Sequence, residues 1–294
     1  MESIFISELK MIEKTINGIP QIGFGSGGFK GDDCYNVVQS ALNAGYRHID
    51  TAQRYKNEAE VGRAIADFGL KRDEIFITTK VHEINYGTGE LRRTTEQSLE
   101  KLGGPVDLLL LHWPSTNGVE PAEQYIGELC QLYDEGMAKR IGLSNFTIKL
   151  MREAKQIFGD RKIAANQCEI HAYMQNSKLA AHCKSTDVPM IAFCPMGRGM
   201  VVDDPTLIKI GKDHNATAEQ IALAFLMNLG HIVIPSSSQK QRIISNFTAR
   251  NIELNADEMT QIKALDRGLR VATIEWDIGW DEKTNIERLA RFVK

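Results

Sequence analysis

The sequence predicts an α/β fold, a (β/α)8 or TIM barrel formed as a single domain over residues 1–294, with an N-terminal β-hairpin ahead of it and a C-terminal extension behind. Three observations carry that prediction. Eight short apolar runs recur along the chain, at 22–26, 48–52, 75–81, 106–112, 139–145, 164–170, 190–195 and 231–236. Between them lie longer segments with helical periodicity, so the alternation repeats roughly every 30 residues, the size expected of an eight-unit barrel. No break in composition, low-complexity linker or charge block divides the chain.

Taken in order, the elements have local causes. Asn17-Gly18 between two short apolar runs, 11–15 and 19–22, is a two-residue hairpin signal. Asp33 is expected to cap a helix whose apolar positions Cys34, Val37, Val38, Ala41 and Leu42 share one face, and Gly45 stands where a left-handed stop belongs. Thr217 with Gln220, and Asn255 with Glu258, have the spacing of capping boxes for two later helices. The segment from Leu269 onward, with Trp276 and Trp280, reads as an ordered extension able to fold across a pocket.

Composition narrows the function. With a formal net charge of -3 there is no general electrostatic grip for nucleic acid or an acidic membrane surface. Five scattered cysteines without C-x-x-C spacing read as reduced thiols, and the histidines lack metal-ligand spacing, so no metal is expected. Neither a signal peptide nor a membrane span is legible, which predicts a cytoplasmic protein.

Two readings compete for the N-terminal motifs. Gly23-x-Gly25-x-Gly27-Gly28, with Asp50 at the end of the next strand, fits a dinucleotide fingerprint. Against it, Pro20 and Gln21 interrupt what should be a continuously apolar strand, and eight alternations exceed one Rossmann domain; the plainer reading is a turn at a barrel mouth. In a barrel, functional groups sit at the C-terminal ends of strands, where Asp50, Lys80 and His112 all fall, with Tyr55 five residues beyond Asp50. Singly, each such residue is ordinarily a cap, a solvated cation or a satisfied ring. Together they make coherent chemistry: a carboxylate holds an ammonium, the ammonium favours ionisation of a phenol, and the phenol donates a proton to a developing alkoxide.

Asp50-Thr-Ala-x-x-Tyr55-x-Asn57-Glu58, Lys80 and His112-Trp113-Pro114 resemble the catalytic signature of the aldo-keto reductases. Gly142-Leu-Ser144-Asn145-Phe146, Asn166-Gln167-Cys-Glu169, Phe193-Cys-Pro195-Met-Gly197 and Ile234-Pro-Ser-Ser-Ser-x-x-x-Arg242-x-x-x-Asn246 follow in family order, so the resemblance spans residues 18–268. Within the family the chain looks most like bacterial 2,5-diketo-D-gluconate and methylglyoxal reductases. The resemblance implies carbonyl reduction with Tyr55 as proton donor, Lys80 and Asp50 tuning it, and His112 orienting the substrate. It implies that Ser144, Asn145 and Gln167 hold a nicotinamide carboxamide, that Phe193 stacks on the ring, that Arg242 pairs with the adenosine 2′-phosphate with the Ser237 and Ser238 hydroxyls as further donors, and that Ser236 and Asn246 belong to the same cofactor site. Relatives often carry Lys where this chain has Ser236, a departure that admits NADH use, but Arg242 keeps its family position, so NADPH is the expected cofactor. Phe29, His82 and Trp113 match substrate-pocket positions. The expected partner is a small-molecule carbonyl substrate, with no nucleic acid or membrane, and the expected state is a monomer. A regulatory or structural protein on the same scaffold is the alternative.

Overall fold

The computed structural model describes residues 14–272 and 278–286. Its core is an eight-stranded parallel sheet in which each strand pairs with the next in sequence: β3 (Phe24–Gly25), β4 (His48–Asp50), β5 (Phe76–Val81), β6 (Leu108–Leu111), β7 (Ile141–Ser144), β8 (Asn166–Glu169), β9 (Met190–Phe193) and β10 (Ile232–Val233). The sheet closes on itself. Ile22 bridges Val233 in parallel, and Gly23 and Gly25 donate to the carbonyls of Val233 and Pro235 at 2.8 and 3.0 Å. A Cβ at Gly25 would meet the Ile234 carbonyl at 3.0 Å, so a glycine suits this seam. The glycine pattern therefore serves barrel closure, and a closed barrel excludes the Rossmann reading.

Ahead of the barrel, β1 (Thr15–Ile16) and β2 (Ile19–Pro20) form the expected hairpin, with Asn17 and Gly18 both left-handed at φ 51° and 77°. Ile19 packs with Phe76, Leu108, Leu110, Ala165, Ile191, Ile232 and Ile234, a cluster separate from the larger one between barrel and helices. The hairpin thus closes the N-terminal end of the barrel interior. Gln21, an awkward residue for a buried strand, is satisfied by donating to the carbonyls of Met227 at 2.8 Å and His231 at 3.2 Å.

Helices α1 (Gly31–Ala44), α2 (Glu58–Phe68), α3 (Glu90–Leu102), α4 (Ala122–Asp134), α5 (Ile148–Phe158) and α6 (Ser177–Ser185) each follow a strand; α7 (Pro205–Asp213) and α8 (Ala218–Asn228) both lie between β9 and β10; α9 (Lys240–Thr248) and α10 (Ala256–Lys263) come last. The first helix starts earlier than expected. Lys30, extended at φ -143°, is its N-cap, and Asp33 makes no capping hydrogen bond but joins Asp32 in the first turn, where carboxylates complement the helix dipole. Gly45 ends it at φ 106°. Both expected capping boxes form, at the starts of α8 and α10.

Beyond α10, β11 (Leu269–Arg270) pairs in parallel with β12 (Asn285–Ile286). The extension is fastened at several points. Glu169 accepts from the backbone of Val271 and Ala272 at 2.7 and 2.9 Å, Asp281 accepts from Ile148 N at the start of α5, and Glu282 accepts from Lys178 N in the first turn of α6. Trp280 stacks over the Arg270 guanidinium at 3.5 Å and meets Trp113 edge-on at 6.4 Å. Trp276 lies outside the described residues.

Candidate active site

Strand periodicity selects which side chains enter the barrel. Phe76, Leu108, Leu110 and Ile191 point into the interior cluster, while Ile49, Ile77, Leu109, Leu111, Leu143 and Ala192 belong to the outer core. Counting in twos from the interior set reaches Lys80 on β5, His112 just past β6 and Phe193 on β9. Counting from the outer set puts Asp50 and Ser144 on the inner face as well. On β8, Ala165 is interior and Cys168 is outer, which turns Gln167 inward. Six side chains from six strands thus converge at the C-terminal mouth.

Asp50, Lys80 and His112 are buried, at 1%, 0% and 7% exposure. Lys80 Nζ donates to Asp50 Oδ1 at 2.5 Å and to the Thr51 carbonyl at 2.8 Å, and lies 3.5 Å from the Tyr55 hydroxyl. Asp50 Oδ2 accepts from Gln167 Nε2 at 2.8 Å. Tyr55 ends the short turn Gln53–Tyr55 after β4 and meets His112 edge-to-face, ring centres 5.6 Å apart at 84°.

Electrostatics follow from enclosure. Burial alone would lower the Lys80 ammonium, but Asp50 and Tyr55 outweigh it and its pKa is raised. His112 is held well below the usual imidazole value, by burial first and then by the Lys80, Arg54 and His82 charges. At Tyr55 the outcome differs from expectation. Burial raises the phenol and prevails over the downward pull of Lys80, so its net pKa stands above the ordinary value.

The other expected residues fall into groups. Asn145, left-handed at φ 63°, uses its Nδ2 on the His112 carbonyl at 3.0 Å and on Ser144 Oγ at 3.1 Å. Ser236, Ser237, Arg242 and Asn246 lie apart from these, on the stretch leading from β10 into α9; Ser236 and Arg242 are exposed, Ser237 Oγ accepts from Gln239 N at 3.1 Å, and Asn246 is buried. His82 caps a turn after β5, Trp113 is buried with its carbonyl bonded to Tyr86 Oη, and Phe29 is stacked on Phe24.

Several residues here were not singled out by sequence reasoning. Asn57 is fully buried: its Oδ1 accepts from Thr51 Oγ1 at 2.7 Å, and its Nδ2 donates to the carbonyls of Ser26 at 2.9 Å and Phe29 at 3.0 Å, pinning the β3–α1 loop beside Tyr55. Lys240 opens α9 as a second exposed cation near Arg242. Arg54 and Glu83 form an ion pair of 3.0 Å beside the mouth. Only Asn57 had a signal, its place in the motif around Tyr55.

Residues 16–267 match the sequence model of the Aldo/keto reductase family. A methylglyoxal reductase, DkgB, of Escherichia coli O157:H7 is 40% identical over 265 residues, covering 88% of this chain and 99% of the relative. A glyoxal reductase of Bacillus subtilis is 34% identical, covering 90% and 96%. A crystal structure of a putative 2,5-diketo-D-gluconic acid reductase B superposes with a TM-score of 0.87 at 36% identity, over 90% of this chain and 95% of that one. A buried carboxylate, ammonium and imidazole beside a half-buried phenol at the mouth of a closed eight-stranded barrel, together with these likenesses along nearly the whole chain, make it a member of the aldo/keto reductase family.

Proposed function

We propose that the protein reduces aldehydes and ketones, in particular small dicarbonyls and keto sugars, to alcohols with hydride from NADPH, and that Tyr55 donates the proton. The observation that carries this reading is the chain Asp50, Lys80, Tyr55: a phenol 3.5 Å from an ammonium that is itself 2.5 Å from a buried carboxylate. The names of the relatives, methylglyoxal reductase and glyoxal reductase, support the substrate class.

The residues fit a nicotinamide cofactor. Asn145 Oδ1 is buried without a hydrogen-bond partner among the described residues, and such an acceptor costs roughly 1–3 kcal/mol unless a donor reaches it. A primary carboxamide carries that donor. The Ser144 hydroxyl, which accepts from Asn145 Nδ2, keeps its own proton for the carboxamide oxygen. Phe193 offers a flat apolar face for the ring. Lys240 and Arg242 in the first turn of α9, near the Ser237 hydroxyl and the N-terminus of that helix, suit a 2′-phosphate, and Lys240 supplies a cation where Ser236 does not. When bound, the reduced nicotinamide supplies the hydride taken up by the carbonyl carbon.

The protein's own residues handle charge and protons. The Tyr55 phenol, its pKa raised above the ordinary value, keeps its proton at neutral pH and releases it to the carbonyl oxygen as negative charge builds there. Lys80, kept cationic by Asp50, then stabilises the phenolate. Neutral His112 orients the carbonyl oxygen without competing as an acid.

The test is Tyr55→Phe. Methylglyoxal reduction with NADPH is expected to fall about 10²- to 10⁴-fold, while NADPH binding, followed by quenching of tryptophan fluorescence, stays at the wild-type level. Reduction at the native rate would reject Tyr55 as the donor. In the same titration NADPH should bind more tightly than NADH; equal affinities would remove the 2′-phosphate role given to Arg242 and Lys240.

A further inference from the structure

We infer that Arg54 makes the mouth of this site selective for carbonyl substrates that also carry a carboxylate. The inference rests on the proposed carbonyl reduction and adds to it the charge of the preferred substrate.

Arg54 sits in the middle of the turn Gln53–Tyr55, one residue before the phenol. The turn is held from outside: Gln53 Oε1 accepts from His82 N at 3.0 Å and from Asn85 Nδ2 at 2.9 Å, and its Nε2 donates to Ser98 Oγ. Arg54 is therefore carried on a braced segment beside the reacting groups. Its charge is among those that lower the His112 pKa, after burial and Lys80.

The ion pair with Glu83 is asymmetric. The Glu83 side chain is 2% exposed and that of Arg54 is 45% exposed, so the carboxylate lies beneath and the guanidinium above. Among the described residues only Nη1 of Arg54 is engaged, at 3.0 Å from Glu83 Oε1. Its other N–H groups have no partner among the described residues. Glu83 Oε2 also lies 3.2 Å from His82 Nδ1.

The other carboxylate of the site offers an approaching anion no strong repulsion, because Asp50 is enclosed and its two oxygens are taken by Lys80 and Gln167. What a ligand meets beside Tyr55 is thus a half-exposed guanidinium tethered through Nη1. A planar fork of this kind binds a carboxylate through paired, charge-assisted hydrogen bonds, and the Glu83 tether reduces the freedom lost when it does so. A neutral dicarbonyl gains nothing from it.

The experiment compares 4-carboxybenzaldehyde with its neutral methyl ester, using the cofactor-loaded enzyme and Arg54→Gln. The wild type is expected to prefer the anion, and in the variant the anion-to-ester ratio of kcat/KM should fall about ten-fold, through KM. Arg54→Lys should keep part of the preference, and added salt should narrow the wild-type ratio but not that of Arg54→Gln. A ratio that is the same in wild type and Arg54→Gln overturns the inference. Failure of carbonyl reduction itself would look different, as no NADPH oxidation with either aldehyde. The product anion, 4-(hydroxymethyl)benzoate, titrated against the loaded protein by tryptophan fluorescence, then decides without turnover: about ten-fold weaker binding to Arg54→Gln upholds the inference, and equal binding rejects it.

Discussion

Asp50 uses both carboxylate oxygens inside the barrel, one on Lys80 and one on Gln167, and is 1% exposed. A buried ion pair of this kind contributes little net stability, but losing one partner strands the other charge. Asp50→Asn, nearly identical in shape, is expected to destabilise the fold by about 3–5 kcal/mol in urea unfolding. A loss below about 1 kcal/mol would mean that Lys80 finds another counter-charge. The pairing of Asp50 with Lys80 was legible in the sequence, since both close strands that turn the same face inward. Gln167 on Asp50 was not, because the two are 117 residues apart and only barrel curvature makes them neighbours.

At the scale of elements, helix packing depends on close backbone approach. Gly62 in α2 faces α3 so tightly that a Cβ would fall 1.9 Å from the Lys101 carbonyl oxygen. Alanine is the better helix former by about 1 kcal/mol, yet the clash involves backbone that cannot swing aside. Gly62→Ala is therefore expected to lower stability by roughly 1–3 kcal/mol, and a variant as stable as wild type in thermal melts would show that α2 and α3 can move apart. The strands, the hairpin and two capping boxes were readable locally, because each depends on residues a few positions apart. The start of α1 was not: Asp33 has the chemistry of a cap, but the chain turns helical at Gly31.

Across the whole molecule, the enclosed barrel couples folding to pH. His48 and His231 are pushed down to about 4, burial being the largest cause at both. Unfolded, they titrate near 6.5, so between about 4 and 6.5 the unfolded chain binds protons that the native one does not. Stability therefore rises with pH across that window and is lost as pH falls through it, by at most about 3 kcal/mol for each ring. Urea midpoints measured between neutral pH and pH 4.5 should drop, and less steeply in His231→Asn; unchanged slopes in that variant would reject the contribution of His231. Legible in the sequence were the eight-fold alternation, the candidate set of Asp50, Lys80 and His112 with Tyr55, and the family resemblance, because apolar periodicity and strand-end position are properties of short segments. Only the folded barrel settles the closure of β3 on β10, the upward net shift of the Tyr55 phenol, the pairing of Arg54 with buried Glu83 and the fastening of the C-terminal extension by Glu169, Asp281 and Glu282. Each of those depends on distances and enclosure between residues far apart in the chain, and these exist only once the barrel has closed.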